Sequence, residues 1–573
     1  MKYRADFWER LFVAVFLISC WLWLFLAVPY QIGFKEQLGV FVLKPAFLSA
    51  YLGKPAVLAC IAGDFLTQFF CFRPIGPSIT VLLFLLIWAA ASRILERLGV
   101  GGSRLLLALL PVAAEMSFIV SLNYPLSSSA GLAISLLMGA FCLRPGSVTA
   151  RTVRFCVALP LAYVLAGAHV ITLLLVFVLW NWRRIAATSV VTVAAAAFVL
   201  LAGRWYNLSL SGSLVYPVIL GYRLPPTGLL ALGPVSVVVA ILLGKAGIKP
   251  WLSTLLASLS LFGALYFTYS QAVEFEVGIN TNAYRKDWKK VWEMASSAPD
   301  EYSFGVFYRN VYLARMNQLP QRLLEFHQYP EGGMSVRIEQ GMDYMWAFAG
   351  IDHLLEVGDI SQATGYALLC QTIMGNRSSH MLRRLSELAM ISGNYSVAGK
   401  YLDILSGSLV HRKWAQAMMD SISTGQLTAE LRYYRSITSP QDRLYLQNDS
   451  YGAARSILDG NPGNRIALDY MLCSYLLGKN VNSFCSAYDR YYRNLYERFG
   501  NVPALYQQAL MVNVSSRESY EETVARYRID PAVAQMYLDF LDARQSSGNG
   551  LAGLEKFRGT YWYYLVSTKL ASK

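Results

Sequence analysis

Polar and apolar positions divide this chain into two halves with different periods. Up to about residue 272 the apolar residues come in near-continuous runs: Leu11–Val28, Pro77–Ala91, Leu105–Leu122, Ser127–Leu143, Ile185–Ala202, Leu229–Leu243 and Trp251–Tyr269. A hydrocarbon layer about 30 Å thick takes about 20 apolar residues as helix, so these runs predict membrane spans, some extending into their flanks. The run Phe155–Trp180 is ambiguous. As one helix it reaches about 39 Å, which tilt can accommodate; broken near Gly167, each half reaches about 20 Å and needs burial in protein.

From Val273 the period becomes that of amphipathic helices. In "HMLRRLSELAMISGNYSVAGKYLDIL" one helix puts Met381, Leu385 and Leu388 on a single face. Gly393 and Asn394 break it, and Ala398, Tyr401, Leu402 and Leu405 line the next. "NPGNRIALDYMLCSYLLGKNVNSFCSAYDRYYRNLY" repeats the design: Gly478 ends one helix, and Phe484, Tyr488, Tyr491 and Leu495 line its successor. No such pair buries both faces alone, whereas stacked pairs do. The pattern resembles the tetratricopeptide family loosely, without its Trp-Leu-Gly-Tyr signature and with uneven spacing. The aromatic tail "FRGTYWYYLVSTKL" is expected to close the stack as a last helix. The expected fold class is all-α: a polytopic transmembrane bundle of about 8 spans over 1–272, then an irregular tetratricopeptide-like helical solenoid over 273–573. A compact helical bundle is the alternative for the second part.

Charge sharpens the division. Only 15% of residues are charged, against about 25% in soluble domains, and mean hydropathy is +0.37. Residues 1–272 carry 19 Lys/Arg against 6 Asp/Glu, and residues 273–573 carry 31 against 30. The net charge of +14 therefore sits almost wholly in the apolar half, where basic loops orient spans, and is not read as a nucleic-acid footprint. If the 155–180 run turns back on itself, 13 of those cations fall inside and 6 outside; if it crosses once, the split is 11 to 8. The first arrangement fits the positive-inside bias better and predicts a cytoplasmic N-terminus and an extracytoplasmic C-terminal domain.

Cysteines add little. None of the eight shows C-x-x-C spacing; Cys473 and Cys485, on neighbouring predicted helices, are a pair to check for a bridge, although buried thiols need none. "LISC" at Leu17–Cys20 resembles a lipoprotein cleavage box, but "WLWLFLAV" continues the apolar run past it, so an uncleaved anchor is expected. After that anchor, residues 31–75 stay half apolar and predict helices lying along the membrane surface. Within them "PAVLACIAGDFLTQFF" carries Asp64 and Gln68; as a span it would bury Asp64 at a cost of about 3 kcal/mol.

Familiar catalytic motifs are missing. The five histidines lack metal-ligand spacing, and "GNGLAG" follows no strand, so neither a metal site nor a dinucleotide cofactor is expected. The ionisable groups in apolar surroundings are Glu115, in "LLPVAAEMSFIVSL", and His169, beside Gly167. Each is either an intramembrane functional group or a paired structural contact near a helix end.

The succession "FKEQLGVF", "DFLTQFF", "LRRLSELAMISGNYSVAGKYLDIL" and "NPGNRIALDYMLCSYLL" resembles an uncharacterised bacterial family of multi-pass membrane proteins, domain of unknown function family 6057, along nearly the whole chain. That resemblance implies the bacterial inner membrane and cell envelope but no activity. The layout of spans, an acidic residue in the first outer loop and a soluble domain is also similar to polyprenyl-phosphate sugar transferases of the GT-C type. That similarity implies Glu36, with Asp64, as catalytic candidates, and Arg73 and Arg223 as cations for a lipid-linked sugar phosphate. A carboxylate at the interface can act as general base on an acceptor hydroxyl. Those transferases usually show Asp there; here Glu36 is followed by Gln37, and a solvated Glu36 beside Lys35 on a polar helix face is the plainer expectation. Two functions follow: an envelope scaffold whose solenoid groove binds a peptide or protein, and a transferase whose solenoid positions the acceptor. Membrane lipid is a partner in both.

Overall fold

Helices form where the apolar runs predict them, with the ends set by proline, glycine and charge. The computed structural model describes residues 2–101, 103–217, 232–299, 302–329, 333–334, 344–440, 450–495, 502–514, 516–547, 551 and 553–568. The chain is all-α, with no strand among the described residues. It separates into two compact units, each discontinuous in sequence. The first comprises Met1–Val277, Gln371–Arg383 and Gly399–Asp420; the second comprises Gly278–Cys370, Arg384–Ala398 and Ser421–Lys573.

In the first unit, five stretches are long and apolar enough to cross a membrane: Phe7–Leu26, Ile75–Arg97, Val148–Asn181, Ile185–Trp205 and Pro250–Thr268. Val57–Cys71, Leu126–Cys142 and Leu232–Lys245 are shorter apolar helices. The expected span Leu105–Leu122 is not one helix: it splits into Arg104–Leu107 and Leu110–Ile119. Pro111 has no N–H to continue the first ladder, and it opens the second helix instead. The start of the expected run Leu229–Leu243 lies outside the described residues, and its helix is Leu232–Lys245.

The ambiguous run folds back on itself. Helix Val148–Ala166 stops at Gly167, and Val170–Asn181 begins after one tight turn. The Phe155 ring then lies 5.1 Å from Phe177 and 5.8 Å from Trp180. In a continuous helix, residues 155 and 180 would be about 38 Å apart. Gly167 makes the turn possible: its φ is +63°, and a Cβ there would sit 2.5 Å from the Tyr216 carbonyl oxygen. That carbonyl accepts the Ala168 N–H at 2.9 Å.

The second unit is built of consecutive helices joined by short turns. Arg465–Leu477 ends at Gly478, and Val481–Ala487 starts three residues later, capped by Asn480. The aromatic tail forms helix Tyr561–Ser567, with Thr560 as its cap. Tyr561 and Tyr564 donate their hydroxyls to the carbonyls of Leu476 and Leu477 at 3.0 and 2.8 Å. They thereby satisfy acceptors that a helix C-terminus leaves open. Cys473 and Cys485 are free thiols; Cys473 lies 3.7 Å from the Tyr506 hydroxyl instead of a sulfur.

Candidate functional site

Helix Pro29–Leu38 follows the first apolar helix after two residues, and Pro29 fixes its opening turn. Its N-cap, Val28, offers no side-chain acceptor. The missing cap comes from far along the chain: the Glu274 carboxylate accepts the N–H groups of Tyr30 and Gln31 at 2.7 and 3.0 Å. Anchored this way, the helix buries Gln31, Ile32, Phe34, Lys35, Glu36 and Gln37. Its polar residues are buried, not solvated as the sequence suggests. Buried polar groups must be paired, and each of the three consecutive residues 35–37 has found partners.

Lys35 Nζ donates to the Tyr124 carbonyl at 2.6 Å, and burial pushes its pKa down to about 7. Glu36, 6% exposed, accepts the Ser379 hydroxyl at 3.0 Å and has His411 Nε2 2.7 Å from Oε1. Burial alone would raise its pKa; the His411 imidazole, then the Ser379 hydroxyl and the Arg383 charge, outweigh that and hold it below the ordinary carboxylate value. Gln37 Oε1 lies 2.8 Å from His380 Nδ1, and its carbonyl accepts the Ser378 hydroxyl at 2.8 Å. Downstream, Leu43 N donates to the Gly407 carbonyl at 3.0 Å.

Asp64 sits on helix Val57–Thr67, where its Oδ2 accepts the Tyr51 hydroxyl at 2.7 Å and meets Arg377 at 3.3 Å. The Arg377 guanidinium stacks over the rings of Tyr51 and Phe47, 4.6 and 5.6 Å from their centroids. Both expected carboxylates are therefore tied to one stretch, 377–379, of the polar half.

The remaining candidates lie elsewhere. Arg73 is exposed, with its guanidinium 5.0 Å from the Phe25 ring, and it bonds neither carboxylate among the described residues. Arg223 lies outside the described residues. Glu115 is 1% exposed and accepts hydroxyls from Tyr124, at 3.0 Å, and Ser129. His169 Nε2 lies 3.0 Å from Ser128 Oγ. Both are paired inside the apolar unit by serines of one helix, Leu126–Cys142.

His411, Ser379 and Arg377 complete the site and carry no motif of their own. A lone histidine 375 residues from its carboxylate leaves no local pattern, and only the compact "RSSH" at Arg377–His380 stands out afterwards. A carboxylate and an imidazole 2.7 Å apart make a short, strong hydrogen bond. With both side chains over nine-tenths buried, the pair as it stands holds two chain segments together rather than facing a substrate.

Among known proteins, the profile of a family of unknown function, DUF6057, matches residues 5–568. No curated protein and no solved structure matches the chain.

Proposed function

The chain belongs to the family of unknown function DUF6057, and on that premise we propose that it is a multi-pass membrane protein of the bacterial cell envelope, acting as an envelope scaffold that binds a peptide or protein through its helical-repeat part. The observation that carries this reading is the fold-back at Gly167. It supports the arrangement with 13 cations inside and 6 outside, on which the N-terminus would be cytoplasmic and the polar half extracytoplasmic. Ile185–Trp205 supports the membrane itself: Ile185, Val190, Val193 and Leu201 are each more than 65% exposed, an apolar surface suited to lipid. Glu36 supports a binding role over catalysis, because its carboxylate is engaged by His411 and Ser379.

A reporter active only outside the cytoplasm, fused to the C-terminus, tests the reading. Signal is expected, and a silent but well-expressed fusion would reject it.

One observation favours a second reading, a GT-C-like glycosyltransferase using a polyprenyl-phosphate-linked sugar with Glu36 as base: Glu36 and Asp64 meet the same 377–379 stretch, together with an arginine. Glu36→Gln and a deletion strain, scored for surface glycans, discriminate. Unchanged glycans in both strains leave the scaffold.

A further inference from the structure

We infer that Lys54, Arg377 and Tyr216 form a binding site for the phosphate headgroup of an anionic membrane phospholipid, beside an apolar edge that takes the acyl chain. The inference rests on the membrane reading above and is independent of any transferase activity.

The site lies within the first unit. Arg377 is about a third exposed, and its orientation is fixed from two sides: Asp64 accepts one guanidinium nitrogen, and Tyr51 and Phe47 hold the plane. A planar fork anchored at one nitrogen leaves its other N–H groups free to be offered to an oxyanion. Lys54 is exposed, lies 5.7 Å from the Tyr216 ring centroid, and pairs with no carboxylate among the described residues. The Tyr216 hydroxyl is 3.6 Å from Cys60 Sγ. Cys60 in turn lies within electrostatic reach of Asp64, Arg377 and Lys54, so these groups share one neighbourhood. Two cations against one carboxylate leave a net positive charge beside a hydroxyl donor, which suits a phosphate.

The surroundings select the kind of phosphate. Lys54 stands between Leu52 and Leu58, 66% and 44% exposed, and Leu43 is 48% exposed. These exposed apolar side chains lie close to Lys54 in sequence, on the segment that follows the apolar helix Lys2–Leu26. A charged head next to an exposed apolar edge matches an amphiphile better than a soluble anion. The cations differ from those the sequence suggests for phosphate, Arg73 and Arg223.

The full chain in neutral detergent is titrated with phosphatidic acid, with phosphatidylcholine and with inorganic phosphate, reading the unfolding temperature. Phosphatidic acid is expected to stabilise it. Lys54→Ala should weaken that binding about tenfold or more, as loss of a charge-assisted bond does. Lys54→Arg should retain it, and Lys249→Ala, elsewhere on the surface, should leave it unchanged. Equal binding by Lys54→Ala, or by phosphatidylcholine, would overturn the site. Inorganic phosphate binding as well as phosphatidic acid would overturn the lipid assignment. A separate carbonate wash of membranes reports on the membrane reading: release of the chain counts against that premise whatever the titration shows.

Discussion

His411 Nε2 lies 2.7 Å from Glu36 Oε1, across 375 residues of sequence, and both side chains are more than nine-tenths buried. The contact joins helix Pro29–Leu38 to the segment Gly399–Asp420 within one compact unit. Removing one member of such a pair strands the other, at a cost of about 3 kcal/mol. Glu36→Ala and His411→Ala should each lower stability by roughly that amount, and the double variant by clearly less than the sum. Unfolding in detergent measures it; additive losses would show that the two side chains are not coupled.

The same pair sets a pH dependence. Glu36 has a folded pKa below its ordinary 4.5, so its stabilisation is present above that value and is lost as pH falls through the folded pKa. The stability gap between the native chain and Glu36→Gln should therefore narrow as pH falls below about 4.5. A gap that widened on acidification would contradict this assignment of charge.

Lys35 has the opposite sense. It gives up its proton at about 7 when folded and at 10.5 ordinarily, so between those values the unfolded chain holds the extra proton. Its penalty is full below pH 7 and fades as pH rises toward 10.5. Lys35→Met should raise the unfolding midpoint at neutral pH, and the gain should shrink at about pH 10. An equal gain at both values would show that packing, not ionisation, is responsible.

Glu274 supplies the cap that Val28 cannot. Glu274→Ala should cost about 1 kcal/mol, and Glu274→Gln, which keeps one acceptor, less. If Ala and Gln behave alike, the carboxylate is not acting as a cap.

Much of the architecture is legible in the sequence because it rests on local periodicity. The glycine breaks at Gly393 and Gly478 fall between helices as the stripes require, and the buried faces of Met381, Leu385 and Leu388 follow from spacing alone. The split at Pro111 was readable from proline chemistry but was masked by the apolar composition around it. The site was half legible: Glu36 and Asp64 stand out as charges in apolar stretches, whereas His411, Ser379 and Arg377 are ordinary residues on polar helices and turns. Their role depends on a long-range approach that no window of sequence contains. The burial of Glu36 was illegible for the same reason, since its cover comes from the other half of the chain.

The fold-back at Gly167 supports the proposed topology, and it can be tested directly. Positions 155 and 180 are beside each other if the run turns, with ring centroids 5.8 Å apart, and about 38 Å apart if it is one straight helix. Phe155→Cys with Trp180→Cys, in a chain whose own eight cysteines are replaced by serine or alanine, should cross-link with a short bifunctional thiol reagent. Gly167→Val should reduce that cross-linking, because a β-branched side chain at φ +63° is strained and its Cβ would press on the Tyr216 carbonyl. The expected loss of stability is about 2 kcal/mol. Failure of the parent pair to cross-link would return the run to a single crossing, and with it the charge split to 11 against 8, which removes the main reason for placing the polar half outside.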